Sequence, residues 1–246
     1  MLFDVIRSIL RGPAQVHATP IDRTADVPAS AHYDPSCFQV DDVQSAKNII
    51  LTVEGLSTEE RWLKETPVVA DAIIRECGVR QGGLVIDYGC GIGRIAKELI
   101  AKTGTSVLGV DISASMCQLA SEYVSDADRF AAVSPAMLDA LLSNGLRADS
   151  AYSVWVLQHC FAPDDDIARI HRALKMGGSL HVVNNISQAI PTNIGWRSAG
   201  QDVHALLRAA FTESRTFKLP LEAAAEGLCA SSYCATFQKT LESAAP

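Results

Sequence analysis

The sequence predicts an α/β fold: a doubly wound, mostly parallel sheet of seven strands with helices on both faces and a closing antiparallel strand. Three observations predict it. From Leu84 onward, short apolar runs alternate with amphipathic segments of helical period. Between the first run and the first such segment stand three glycines at alternate positions, Gly89, Gly91 and Gly93. Two acids, Asp87 and Asp111, lie near or at the ends of the first and second runs, 24 residues apart, which leaves room for one helix and one strand.

The elements follow in order. Leu2, Phe3, Ile6, Ile9 and Leu10 share one face of a helix at the start of the chain. That helix packs on the domain or on a second subunit, so a homodimer through it is one expectation. Asp4 and Arg7 interrupt its apolar run, and no cleavage-site pattern follows it. With only Arg7 and Arg11 as positive charges it is a poor membrane-surface helix. Gly12 to Pro35 reads as a linker or extended arm. Gln44–Val53 and Thr58–Cys77 read as helices, the second opened by a capping box of Ser57 and Glu60. Pro67 predicts a kink or break between Trp62 and Val68. This gives two units: residues 1–66 as an N-terminal arm and helices, and residues 67–246 as the sheet domain.

Strands are expected at Leu84–Tyr88, Ser106–Val110, Arg129–Val133, Ser150–Val156 and Ser179–Asn184. The helices between them are Ile92–Lys102, Ser115–Ser125, Ala136–Asn144 and Asp165–Ala173. Ile186 to Gly200 reads as irregular. A helix at Asp202–Phe211, a strand at Glu213–Leu219, a short helix at Leu221–Gly227 and a last strand at Tyr233–Lys239 complete the chain.

Composition excludes several function classes. The 246 residues carry 28 acids against 21 Lys and Arg, a net charge of −7, which disfavours a nucleic-acid backbone as partner. No apolar run approaches the roughly 18 residues needed to span a membrane. Seven cysteines without C-x-x-C spacing predict free thiols, no metal site and a cytoplasmic setting. Cys90, inside the glycine loop, fits as a small packing residue.

The loop itself is the sharpest signal. Glycines let a backbone approach a ligand that a Cβ would exclude, and a helix N-terminus presents free amides. Dinucleotide-binding loops use G-x-G-x-x-G. Here the spacing is G-x-G-x-G, with Asp87 two residues upstream. A carboxylate there repels a pyrophosphate and suits an ammonium group. Asp111, ending the second strand, suits a pair of ribose hydroxyls.

These residues, with Ile112 after Asp111, the stretch Tyr152 to His159 and the turn Leu174 to Gly178, resemble the class I S-adenosylmethionine-dependent methyltransferases. The resemblance covers roughly Leu84 to Val183 and implies a Rossmann-like fold. It further implies S-adenosyl-L-methionine as cofactor and S-adenosyl-L-homocysteine as product. Gly89, Cys90, Gly91 and Gly93 would wrap the methionine part, with Asp87 near its ammonium. Asp111 would hold the ribose, Ile112 would lie on the adenine, and Trp155 would be a further cofactor-binding residue. Relatives often carry an acid after the third strand; here Phe130 to Met137 has none, so Ser134 and Met137 are the adenine-side candidates.

The acceptor-facing residues follow the fourth strand in this family, which puts Gln158 and His159 there. His159 is the candidate base, since imidazole takes a proton near neutral pH. Its alternative role is to order the loop by a hydrogen bond. Tyr33, Phe38, Arg61, Trp62, Asn184, Asn185, Trp196 and Arg197 are the further candidates for holding a small-molecule acceptor, with the N-terminal arm acting as a lid. Oxygen or nitrogen is the expected acceptor atom. A protein side chain as acceptor, and an inactive cofactor-binding partner subunit, stay open on the sequence alone.

Overall fold

A computed structural model describes residues 30–240 of the chain. The helix expected at Met1 to Leu10, and most of the linker that follows it, lie outside these residues. Two helices come first, α1 (Val43–Ile50) and α2 (Thr58–Cys77). Alternation then begins: β1 (Leu84–Tyr88), α3 (Arg94–Thr103), β2 (Ser106–Val110), α4 (Ala114–Val124), β3 (Phe130–Val133) and α5 (Pro135–Ser143). It continues with β4 (Ala148–Val154), α6 (Pro163–Ala173) and β5 (Leu174–Asn185). A hairpin of β6 (Ile190–Thr192) and β7 (Gly195–Arg197) precedes α7 (Val203–Ala210), β8 (Thr212–Phe217), α8 (Glu226–Ser231) and β9 (Ser232–Gln238).

The main sheet has seven strands in the order β3-β2-β1-β4-β5-β9-β8. β1 to β5 are parallel, and β9 runs antiparallel to both of its neighbours, β5 and β8. Alternate residues of each strand face opposite layers. Val85 and Val107 join the core under α2, α3 and α4, while Ile86 and Leu108 join the one under α5, α6 and α7. Buried on both faces, such strands read as short apolar runs, which is why β1 and β2 were legible. No helix among the described residues is long and apolar enough to cross a membrane.

Four expectations change. Pro67 does not break its helix; α2 runs through it without interruption, and through the point between residues 66 and 67. A proline costs roughly 3 kcal/mol in a helix interior. Against that cost α2 buries Trp62, Glu65, Thr66, Val69, Ala70 and Ile73, and the Thr66 hydroxyl donates back to the Trp62 carbonyl. Secondly, Ile186–Gly200 is not irregular throughout. It holds the β6–β7 hairpin, turned at Asn193-Ile194 with Gly195 at φ +100°. Thirdly, the short helix starts at Glu226 rather than Leu221, because buried Ala223 and Ala224 take up a turn first. Lastly, β4 stops at Val154, where Trp155 turns to φ +63° and Leu157–His159 follow as one 3-10 turn.

Candidate active site

The carboxyl ends of β1, β2, β4 and β5 form the floor of one large cavity. The chain from residue 30 forms its roof. Asp34 N–H donates to Pro191 O at 3.1 Å and Tyr33 pairs with Thr192, so this segment lies along the hairpin as an extra edge. Val40 N–H then donates to Ser115 Oγ at 3.0 Å, and Ile50 of α1 rests on the glycine loop. The cavity holds about 570 Å³. Small-molecule sites run from roughly 300 to 1,000 Å³.

At one end lies the loop. The amides of Gly89 and Cys90 both donate to Val110 O, at 2.7 and 3.0 Å, which ties the loop to the end of β2. Gly89 and Gly91 have φ of +82° and +51°. A Cβ on Gly89 would lie 2.2 Å from Val156, and one on Gly91 would lie 2.7 Å from Ile50. Both positions therefore exclude side chains on two grounds, backbone conformation and space. Asp111 binds this loop to the next helix: Gly91 N–H donates to its Oδ2 at 2.8 Å and Ser113 N–H to its Oδ1 at 2.9 Å. Burial raises its carboxyl above the usual range, opposed by those backbone hydrogen bonds. Ile112 stands beside it, more than half exposed.

Next to the loop is a buried ion network that the sequence did not reveal. Glu65 of α2 is fully buried. Its carboxylate takes Arg61 Nη2 at 2.8 Å, Arg94 Nη2 at 3.0 Å and Trp155 Nε1 at 2.7 Å. Two guanidinium groups thus share one carboxylate. Arg61 Nη1 donates to Thr52 O at 2.8 Å, but its buried Nε has no partner among the described residues, and Arg61 lines the cavity. The only early sign of this network was the i, i+4 spacing of Arg61 and Glu65. Trp155 is a bulky residue with φ above zero, a costly backbone state that persists where surroundings over-determine it. Here Trp155 N–H is held by Val183 O at 2.8 Å and its ring nitrogen by Glu65.

The other end of the cavity is aromatic. Tyr33, Phe38, His159, Phe161 and Trp196 all line it. Ring centroids lie 5.0 Å apart for His159 and Trp196, 5.4 Å for Tyr33 and Phe161, and 6.2 Å for Phe38 with either His159 or Trp196. His159 is held at both nitrogens. Nδ1 faces Ala189 O at 2.6 Å, so it carries the proton, and Nε2 lies 3.2 Å from Gln158 Nε2. Asn185 N–H donates to Gln158 Oε1 at 2.9 Å, which fixes the Gln158 amide with its NH₂ toward the imidazole. Burial lowers the His159 pKa, so the ring is neutral near pH 7. As placed, it has no free lone pair with which to take a proton from an acceptor. Asn185 Oδ1, also in this cavity, is buried without a partner among the described residues.

Gly89, Gly91, Asp111, Ile112, Trp155, Tyr33, Phe38, Arg61, Gln158, His159, Asn185 and Trp196 therefore meet in one cavity. The remaining expected residues are placed elsewhere. Asp87 is buried at the base of the loop opposite Tyr152 in the register, and burial raises its pKa to about 7, so it is not a full charge facing the ligand. Cys90 packs against Gly109, where a Cβ would lie 2.8 Å from its sulfur. Gly93 gives way to Val124 in the same manner. Ser134 caps α5 through Met137 N–H, Met137 packs into the core, and Pro135 between them is the residue that lines the cavity. Trp62 is buried with its ring nitrogen toward Tyr123. Asn184 is spent on Gln158 N–H and Asn185 O. Arg197 is exposed and folds back on Trp196 O and Ile194 O. Ile49, Ile50, Glu54, Cys160 and Phe161 line the cavity without having been expected there.

Residues 85–178 match the model of a family described as a methyltransferase domain. The matched stretch runs from β1 into β5 and holds the glycine loop and Asp111, so this part of the chain is similar to a methyltransferase domain. Among curated proteins nothing matches it. Solved structures of this fold are similar to it at low identity. The geranyl diphosphate C-methyltransferase of Streptomyces coelicolor A3(2) has a TM-score of 0.57 and 13% identity, over 83% of this chain and 95% of that one. Phosphoethanolamine N-methyltransferase 2 of Haemonchus contortus has a TM-score of 0.51 and 18% identity, over 70% of this chain and 52% of that one. The cyclase SpnF has a TM-score of 0.53 and 18% identity, over 71% and 80%. These likenesses concern the fold.

The cavity fits S-adenosylmethionine as cofactor. The two glycines leave a cradle that any Cβ would fill, and the unpartnered Arg61 Nε offers a cationic donor for the carboxylate of the methionine part. Asp111, with both oxygens oriented by backbone amides, would take the ribose hydroxyls, and Ile112 and Pro135 would flank the adenine.

Proposed function

We propose that the protein transfers a methyl group to an oxygen or nitrogen of a small-molecule acceptor held in the aromatic half of the cavity. One observation carries this reading. The loop end and the aromatic end are parts of a single cavity, so a second ligand has a place beside the cofactor. The bound cofactor supplies an electrophilic methyl on a sulfonium. The chain supplies alignment and exclusion of water, and for a direct displacement these can account for much of the acceleration. In this reading the N-terminal unit supplies the acceptor-side lid through the segment from residue 30 to α1, while α2 crosses the boundary between residues 66 and 67 and belongs to the sheet domain. Gln158 and His159 act by positioning: they hold the loop from Asn185 to Ala189 in place and present a ring face.

Phe38→Ala with Trp196→Ala is the test. Transfer of labelled methyl to an acceptor found by screening amines and alcohols should fall by at least tenfold. Affinity for S-adenosylhomocysteine, measured by calorimetry, should stay unchanged. Full turnover in this double variant would move the acceptor elsewhere.

A further inference from the structure

Three features of the aromatic half bear on the chemical class of the acceptor. Its walls are ring faces and edges from four stretches of chain: Tyr33, Phe38, the pair His159 and Phe161, and Trp196. Among the described residues, the charged groups lining the same cavity are three carboxylates, Glu54, Asp111 and Asp166, and one guanidinium, Arg61. Among the described residues beside the rings, four groups that could take a proton are already committed. His159 is committed at both nitrogens. The hydroxyl of Tyr33 and the thiol of Cys160 are held in their neutral forms by burial. Asp166 is already paired with Arg169 at 2.8 Å and takes the Tyr88 hydroxyl.

We propose that the acceptor is a tertiary amine and the product a quaternary ammonium, held in a box of aromatic rings. The inference rests on the methyl-transfer reading above. The lone pair of the neutral amine forms the nitrogen–carbon bond. The carbon–sulfur bond breaks with its electron pair left on sulfur, giving a neutral thioether. The ammonium form loses its proton to water before the amine is enclosed; in the transfer itself the positive charge passes to nitrogen and no proton moves, so the cavity needs no base of its own. Ring faces attract a cation through their quadrupoles and hold a neutral amine less well. The attraction therefore grows as the bond forms, and an interaction that is stronger in the transition state than in the ground state is one that accelerates. An alcohol would need a base that this wall lacks. A carboxylate acceptor would add a fourth negative charge to the cavity.

The test is binding to the full chain saturated with S-adenosylhomocysteine, followed by calorimetry. The probes are choline and its neutral carbon isostere, 3,3-dimethylbutan-1-ol. Choline should bind at least tenfold more tightly than the isostere. Trp196→Ala should remove most of that preference, and Trp196→Phe should keep it. Equal binding of the two probes, or binding of neither, would overturn the amine inference. S-adenosylhomocysteine affinity is measured first on the same sample. A chain that does not bind it fails the methyltransferase reading instead, so the two failures are told apart.

Discussion

Removing Glu65 should be among the most damaging single changes in the domain. Its carboxylate is fully buried and takes three donors, Arg61 at 2.8 Å, Arg94 at 3.0 Å and Trp155 at 2.7 Å. Glu65→Ala leaves two guanidinium groups, each 3–4% exposed; Arg61 keeps only the half-exposed Glu54 at 4.0 Å, and Arg94 loses the carboxylate it is paired with. Breaking a buried pair in this way costs roughly 3–5 kcal/mol. For a domain of this size that is a fall of about 6–20 °C in Tm, at roughly 2–4 °C per kcal/mol. Denaturant unfolding at neutral pH measures it directly. A companion variant separates charge from packing. Arg61→Met, Glu65→Leu and Arg94→Met together remove all three charges, and such replacements are often neutral in stability. The triple variant should thus recover most of the loss while still failing to bind S-adenosylhomocysteine, because Arg61 is gone. A Glu65→Ala protein within about 1 kcal/mol of the parent would refute the account, since that is the scale of an exposed pair.

Three further outcomes are expected. Asp111→Ala removes charge-assisted hydrogen bonds worth roughly 1.5–3 kcal/mol each, so S-adenosylhomocysteine affinity in calorimetry should fall by about tenfold or more. Asp111→Asn, which keeps one carbonyl for Gly91 or Ser113, should lose less. His159→Gln should leave turnover within about tenfold of the parent and its pH profile unmoved, whereas loss of a general base costs roughly 10²–10⁴. His181 is buried against Thr236, and burial lowers its pKa from 6.5 to about 4. Its neutral form is the folded one, so this contribution to stability is whole above about pH 6.5 and is lost as pH falls toward 4. Unfolding free energy measured across that window should decline, and His181→Gln should reduce the slope.

Which parts of the molecule were legible in the sequence has a physical explanation. β1 and β2 were read to the residue because strands buried on both faces leave short apolar runs, Leu84 to Ile86 and Val107 to Val110, set off by glycines and polar residues. The glycine loop was legible because positive φ and close approach both demand glycine. Asp111 followed from its place at the end of β2. The β6–β7 hairpin escaped because its turn, Asn193-Ile194-Gly195, lacks the Asn-Gly pair that marks a two-residue hairpin. Pro67 misled because local propensity argues for a break, and only tertiary burial along α2 overrides it. Asp87 was read as facing an ammonium group from its charge and its place two residues before the first glycine. Its side chain is buried and its pKa raised to about 7, and the burial comes from packing that spacing cannot report.

The acceptor end was the least legible part, and the reason bears on how its specificity is set. Tyr33, Phe38, His159, Phe161 and Trp196 span 164 positions and carry no common motif. They meet because the segment from residue 30 lies along the hairpin, through Asp34 N–H on Pro191 O and Asn193 N–H on His32 O. The same hairpin is fastened to the sheet through His159 Nδ1 and Ala189 O at 2.6 Å. Roof and wall are thus joined to each other and to the turn after β4, whereas Gly89, Cys90 and Asp111 at the cofactor end are held by backbone hydrogen bonds to β2 and to the loop after it. Substitutions in the roof can therefore change which acceptor is admitted while leaving Gly89, Gly91 and Asp111 undisturbed. Loosening the link at His32 to Asp34 should accordingly alter acceptor binding before it alters cofactor binding.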